Sequence, residues 1–151
     1  MKKVDIINLA NAGVQGATNH TLDAKDAYKV LKFRRALLAA FEGVRDEIKA
    51  NQAEAGIEDP QAFDKERADL RALESRSVDQ DKRLAVLDAK FQRFAELQKE
   101  LLADEAELAC ITMPYASWHA LQVENEKTCP ALSDPYVEDA LENVLWAAPE
   151  E

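Results

Sequence analysis

From Gln61 to Met113 the chain contains neither glycine nor proline, and an apolar register of seven runs without a slip from Phe63 to Leu108. One line of that register takes Phe63, Leu70, Ser77, Leu84, Phe91, Gln98 and Glu105, and the other takes Glu66, Leu73, Gln80, Leu87, Phe94, Leu101 and Leu108. Nine of these fourteen positions are apolar, one short of the ten a strong coiled coil would need. A three–four alternation gathers side chains on one side of an α-helix, whereas a strand needs a period of two. Two readings share the pattern. In one, residues 60–108 form a single helix of about 70 Å, at ~1.5 Å per residue. In the other, the helix divides near Ser75–Ser77, where Ser77-Val78-Asp79-Gln80 has the S-x-x-Q form of a capping box. The unbroken register favours the first reading and the capping box the second.

Upstream, a long helix is expected from about Ala24 to Ala55, with Thr21 or Asp23 as N-cap and Gly56 just past its end. At about 100° per residue, Val30, Leu31, Phe33, Leu37, Leu38, Phe41, Val44 and Ile48 share one broad arc. Arg34 and Arg45 lie in the same arc and must snorkel or meet acids, because an unpaired buried charge is costly. Asp59-Pro60 then reads as N-cap and N1 of a new helix. The short Gly56–Pro60 connection turns the chain back antiparallel. Residues 4–12 fit a short helix and 13–20 a loop. Beyond Leu108, Ala109 to Tyr115 reads as extended, Ser117 to Glu126 as a short helix, and 127–134 as a loop. Asp134-Pro135 repeats the cap signal, followed by Tyr136, Ala140, Leu141, Val144, Leu145 and Trp146 at helical spacing.

The fold class expected is therefore mainly α: one helical domain over 1–151, built on an antiparallel, coiled-coil-like long-helix hairpin (22–108). A smaller part over 109–148 adds short C-terminal helices and room for one small β segment. With 151 residues, the chain is long enough to bury a core. Its 4 glycines, none after Gly56, argue against a doubly wound sheet or a β-sandwich. Met1 to Ala17 lacks a signal-type apolar run and no stretch of about 18 apolar residues occurs, so a cytoplasmic protein with no membrane association is expected.

The net charge of −10 is graded along the chain. Residues 1–50 carry 9 basic and 6 acidic groups, residues 51–106 carry 9 and 14, and residues 107–151 carry Lys127 alone against 9 acids. A chain of this sign repels phosphate on average, so any contact with nucleic acid falls to the N-terminal third. There, Lys25, Lys29, Lys32, Arg34 and Arg35 form a basic run, and Lys25, Lys29, Lys32 and Arg35 are the candidates for contact with an anionic partner. The plainer reading pairs or solvates these cations, as most charge runs on helices are. For helix pairing the candidates are Leu84, Leu87, Phe91, Phe94 and Leu101, which serve equally well as the core face of a monomeric bundle.

Catalytic and metal chemistry find little footing. His119 lies between Cys110 and Cys129, but gaps of eight and nine residues are not the tight pairs of a zinc site. Cys110 with His119 could make a nucleophile and base across a turn, yet acidic surroundings do not activate a thiol. Gly13-x-x-Gly16 lacks the G-K-[ST] of a phosphate loop. No catalytic residue, metal or cofactor is expected.

The segment Lys29-Val-Leu-Lys-Phe-Arg-Arg-Ala-Leu-Leu38, with Pro60-Gln-Ala-Phe63-Asp-Lys-Glu66-Arg-Ala-Asp-Leu70 and Cys110-Ile-Thr-Met-Pro114, resembles small phage- and prophage-encoded helical proteins of unknown function. The resemblance spans about residues 22–120, and the heptad stretch over 79–106 departs from it. It implies a bacteriophage structural or host-takeover protein with no active site to carry over. The functional expectation is a non-enzymatic interaction or assembly protein, self-associating or bound to a protein partner. The alternative is a nucleic-acid-binding regulator using the basic run.

Overall fold

Local cap signals at helix ends decide where this chain turns. The structure, a computed structural model, describes residues 1–108, 111, 113–129, 132 and 141. Five helices are present among them: α1 (Lys3–Asn11), α2 (Ala24–Glu54), α3 (Pro60–Ala72), α4 (Val78–Ala103) and α5 (Tyr115–Asn125), with a 3-10 turn at Val14–Gly16. The protein is mainly α, and no strand occurs among the described residues. It forms two compact units, one of Met1–Val44 with Asp104–Glu151 and one of Arg45–Ala103.

In the first unit, α1, the first two-thirds of α2 and α5 enclose a core that includes Ile6, Leu9, Val30, Phe33, Leu37, Trp118 and Leu121. On α2 the buried line is Asp26, Val30, Phe33, Leu37 and Val44, with Ala40 half-buried between the last two. The steps alternate four and three, the spacing of a packed helix face. Burying each of the larger side chains contributes about 1.5–3 kcal/mol. The arc expected from the sequence is too broad, since Leu31 and Leu38 are exposed. Asp23 rather than Thr21 receives the first turn of α2, its carboxylate accepting the Asp26 N–H at 2.8 Å. The chain start pairs with the segment after α4: the Lys3 N–H donates to Asp104 O (2.9 Å) and the Ala106 N–H to Met1 O (2.8 Å). One small β segment was expected after Leu108; among the described residues the antiparallel bridge instead joins Lys2 with Glu105.

The extended segment expected over 109–115 falls partly on Ala109, Cys110 and Thr112, outside the described residues. Tyr115, its expected last residue, instead opens α5. The expected helix over 136–146 also lies outside them, except for Leu141, which is fully buried.

The second unit is built by its caps. Gly56, at φ 74°, ends α2. Its N–H reaches Ala53 O (2.9 Å) and the Ile57 N–H reaches Gln52 O (2.9 Å), the paired bonds of a Schellman close. Asp59 caps α3 through Gln61 and Ala62 N–H, and Pro60 fills N1. After α3 the chain turns extended at Leu73 and restarts through the reciprocal box at Ser77 and Gln80 (2.9 and 3.3 Å). The single-helix reading of 60–108 is thereby overturned: the capping box wins over the register. α3 and α4 form the tight hairpin, with Ala55, Ile57, Phe63 and Leu87 as its small core.

Candidate functional surface

Three places combine chemistry with exposure or unusual polarity: the outer face of α2, the start of α2 where it meets α5, and the α3–α4 seam.

Lys25, Lys32 and Arg35 are exposed on α2, and they have no ion pair among the described residues. Lys29 differs from them. Its ammonium lies 3.3 Å from Asp26, whose side chain is 5% exposed. Asp26 also accepts a hydrogen bond from the Ser117 hydroxyl at 2.5 Å. Of the four candidate contacts, one cation thus neutralises a buried acid and three face solvent, while Arg34, the fifth member of the run, is half-buried. Alongside the three, Tyr28 is 61%, Leu31 36% and Leu38 46% exposed, although a helical core face was expected to absorb both leucines.

At the C-terminal end of α5, Asn125 is fully buried and satisfied. Its Oδ1 accepts from the Thr18 N–H (2.8 Å) and hydroxyl (3.2 Å), and its Nδ2 donates to Thr18 O (2.7 Å) and Leu121 O (2.8 Å). Glu124 beside it accepts from His20 N–H (2.8 Å), Thr21 N–H (3.0 Å) and the Thr21 hydroxyl (2.7 Å). Burial pushes the Glu124 carboxyl up, but the bonds from Thr21, His20 and Thr18 outweigh it and bring the pKa down to about 2. This clasp fixes the 18–21 loop rather than forming a reactive centre, since every acceptor is engaged by backbone or hydroxyl. Sequence reasoning missed it, and also missed Asp26. Asp26 left a trace, a carboxylate at the first position of the buried four–three line. Asn125 and Glu124 left none.

The pairing seam is spent largely inside the chain. Leu87 is buried in the α3–α4 core, with Phe91 and Phe94 half-buried against it. Leu101 is buried and Leu84 half-buried. Arg67 lies over the Phe91 ring at 3.9 Å and bonds Asp88 (2.6 Å), which Arg71 also reaches (2.9 Å). These bonds hold the Asp88 carboxyl below its usual range. Arg83 grips Glu66 through two bonds, 2.6 and 2.8 Å, lowering the Glu66 carboxyl and raising the guanidinium.

His119 is exposed and stands 6.0 Å from the Tyr115 ring, Cys129 is buried, and Cys110 lies outside the described residues. No group of three or more His, Cys, Asp or Glu among the described residues could hold a metal ion. No described helix is long and apolar enough to cross a membrane. Comparisons with protein-family models, with curated proteins and with solved structures return no match.

Proposed function

We propose that the protein is a non-enzymatic interaction or assembly protein that works through helical surfaces. The observation that carries this reading is the outer face of α2, where Tyr28, Leu31 and Leu38 are exposed at helical spacing beside cations with no ion pair among the described residues. Solvent-facing leucines repeated along one helix cost nothing to omit, and grouped apolar exposure marks contact surfaces. A phage or prophage origin and a place in the host cytoplasm belong to this proposal, on the strength of the resemblance above. Self-association is part of it too: the first 50 residues are net basic and the last 45 strongly acidic, which favours contact between unlike parts of two copies. Sedimentation velocity from about 1 to about 100 µM checks it, with a weight-average mass that rises with concentration as the expected result. A compact monomer throughout removes self-association and leaves partner binding.

A second reading, nucleic-acid binding, draws on Lys25, Lys32 and Arg35 as phosphate contacts. Three such contacts give a weak, steeply salt-dependent affinity, and absence of salt-dependent retention of DNA or RNA removes it.

A further inference from the structure

Resting on the interaction reading, we propose that the outer face of α2, uncovered among the described residues, is a coiled-coil seam that docks an acidic amphipathic helix from another protein. α2 carries two lines of side chains at heptad spacing on opposite sides. The inner line, Asp26 to Val44, is consumed by the core. The outer line steps from Tyr28 to Leu31, Arg35 and Leu38, by three, four and three residues, and all four are exposed. Taken as a seam, it places Tyr28 and Arg35 at one core position and Leu31 and Leu38 at the other. Lys25 and Lys32 then occupy the flanking position that reaches the charges of a paired helix.

The charge of the seam selects its occupant. A second copy of the same face would set Arg35 against an apolar or cationic layer and Lys25 and Lys32 against like charge, which disfavours symmetric pairing. A helix with Glu at the facing core position and along its flanks neutralises all three cations while its leucines cover Leu31 and Leu38. The seam ends after Leu38, where Ala39 is small and exposed, because the next core position is the exposed acid Glu42. Duplex nucleic acid would use the cations but leave the two leucines against a phosphate backbone that has no counterpart for them.

The test titrates the intact protein into a labelled synthetic peptide of about three heptads, with Leu at one core position and Glu at the other and at the flanks. A Glu-to-Lys version of the peptide, a duplex DNA and phosphatidylserine vesicles serve as comparators. Expected are binding of the acidic peptide at least about 10-fold tighter than of any comparator, and weakening as salt rises. Leu31→Glu with Leu38→Glu should weaken it at least about 10-fold, and Lys25→Glu, Lys32→Glu and Arg35→Glu together should transfer preference to the basic peptide. All five side chains are at the surface, so circular dichroism and melting should stay as in the parent. No binding of the acidic peptide, binding indifferent to these changes, or tighter binding to DNA or vesicles overturns the proposal. Loss of self-association in the same variants also overturns it, by making a second copy the occupant. Peptide binding or self-association that survives all five substitutions overturns this surface and leaves the interaction reading standing.

Discussion

The two units solve the same problem, stabilising short and medium helices, by different means. The first buries large side chains from segments far apart in sequence: Ile6, Phe33, Leu37 and Trp118 are all almost fully enclosed. It also buries two polar side chains, Asp26 and Asn125, each answered by partners about ninety residues or more away. Among the described residues the second unit has five buried apolar side chains, Ala55, Ile57, Phe63, Leu87 and Leu101, and relies on helix caps and Arg–carboxylate pairs. Exposed ion pairs contribute little each, because water screens them and two long side chains must be held. Long-range burial therefore stabilises the first unit, and local geometry specifies the second.

That contrast is most exposed to Trp118→Ala. The side chain is 2% exposed in the larger core, and its removal should cost about 3–5 kcal/mol by chemical denaturation. Leu87→Ala, in the smaller core, should cost about 2–3 kcal/mol, because half-buried Phe91 and Phe94 can close over the gap. Hydrogen exchange read amide by amide should show the first change loosening α1 and α5, and the second loosening α3 and α4. A larger loss for Leu87→Ala would break the comparison.

Next in size stands Asn125→Ala, at about 2 kcal/mol. It strands the Thr18 N–H and carbonyl, which among the described residues Asn125 satisfies across 107 residues of sequence. Faster exchange at Thr18 and in the 18–21 loop is the local signature, and unchanged protection there would remove the clasp from the account of the first unit.

Legibility in the sequence follows the same division. Helix ends inside the second unit were legible, Gly56 and Asp59-Pro60 directly and Ser77-x-x-Gln80 as one of two readings, because these signals act on neighbours within a few residues. Periodicity located α2 but made its buried face too wide. It cannot tell a leucine that meets a partner helix from one that meets water, and Leu31 and Leu38 sit at the margin of the arc. Asn125 and Glu124 were beyond reach for a different reason. Their partners are Thr18, His20 and Thr21, and no local pattern reports a pairing closed by the fold. The basic run was found as composition, but setting Lys29 on Asp26 apart from solvent-facing Lys25, Lys32 and Arg35 needed coordinates.

Caps sharpen the comparison at the scale of about 1 kcal/mol. Asp59→Ala removes the acceptor for two N–H groups and should cost about 1 kcal/mol. Gly56→Ala places a side chain at φ 74° and should cost about 1–2 kcal/mol, most of it backbone strain. The new methyl would lie 3.3 Å from Cε and Nζ of Lys90, the flexible end of that side chain, which can yield. Both losses should be confined to exchange in α3 and the end of α2. Spread into the first unit would mean that its long-range core does not insulate it from local change.

Acid should act on both units by one sign. Glu124 has its pKa brought down to about 2 from an ordinary value near 4.5, so the folded state holds the ionised form more strongly than the unfolded chain does. Its contribution is present above about pH 4.5 and is lost as pH falls toward 2. Glu66 and Asp88 in the second unit are lowered as well, by Arg83 and by Arg67 with Arg71, and lose their contributions in the same direction. The causes differ, and salt separates them. Glu66 and Asp88 answer mobile guanidinium charges, which added salt screens, whereas Glu124 answers fixed N–H and hydroxyl dipoles of His20 and Thr21. Carboxyl titrations followed by NMR at low and high salt should therefore show the Glu66 and Asp88 midpoints moving up toward ordinary values while Glu124 stays near 2. Thr21→Val, which deletes the hydroxyl donor at 2.7 Å, should raise the Glu124 midpoint at either salt concentration. A Glu124 midpoint that rises with salt as far as that of Glu66 would show that charge, and not the clasp, holds the carboxylate.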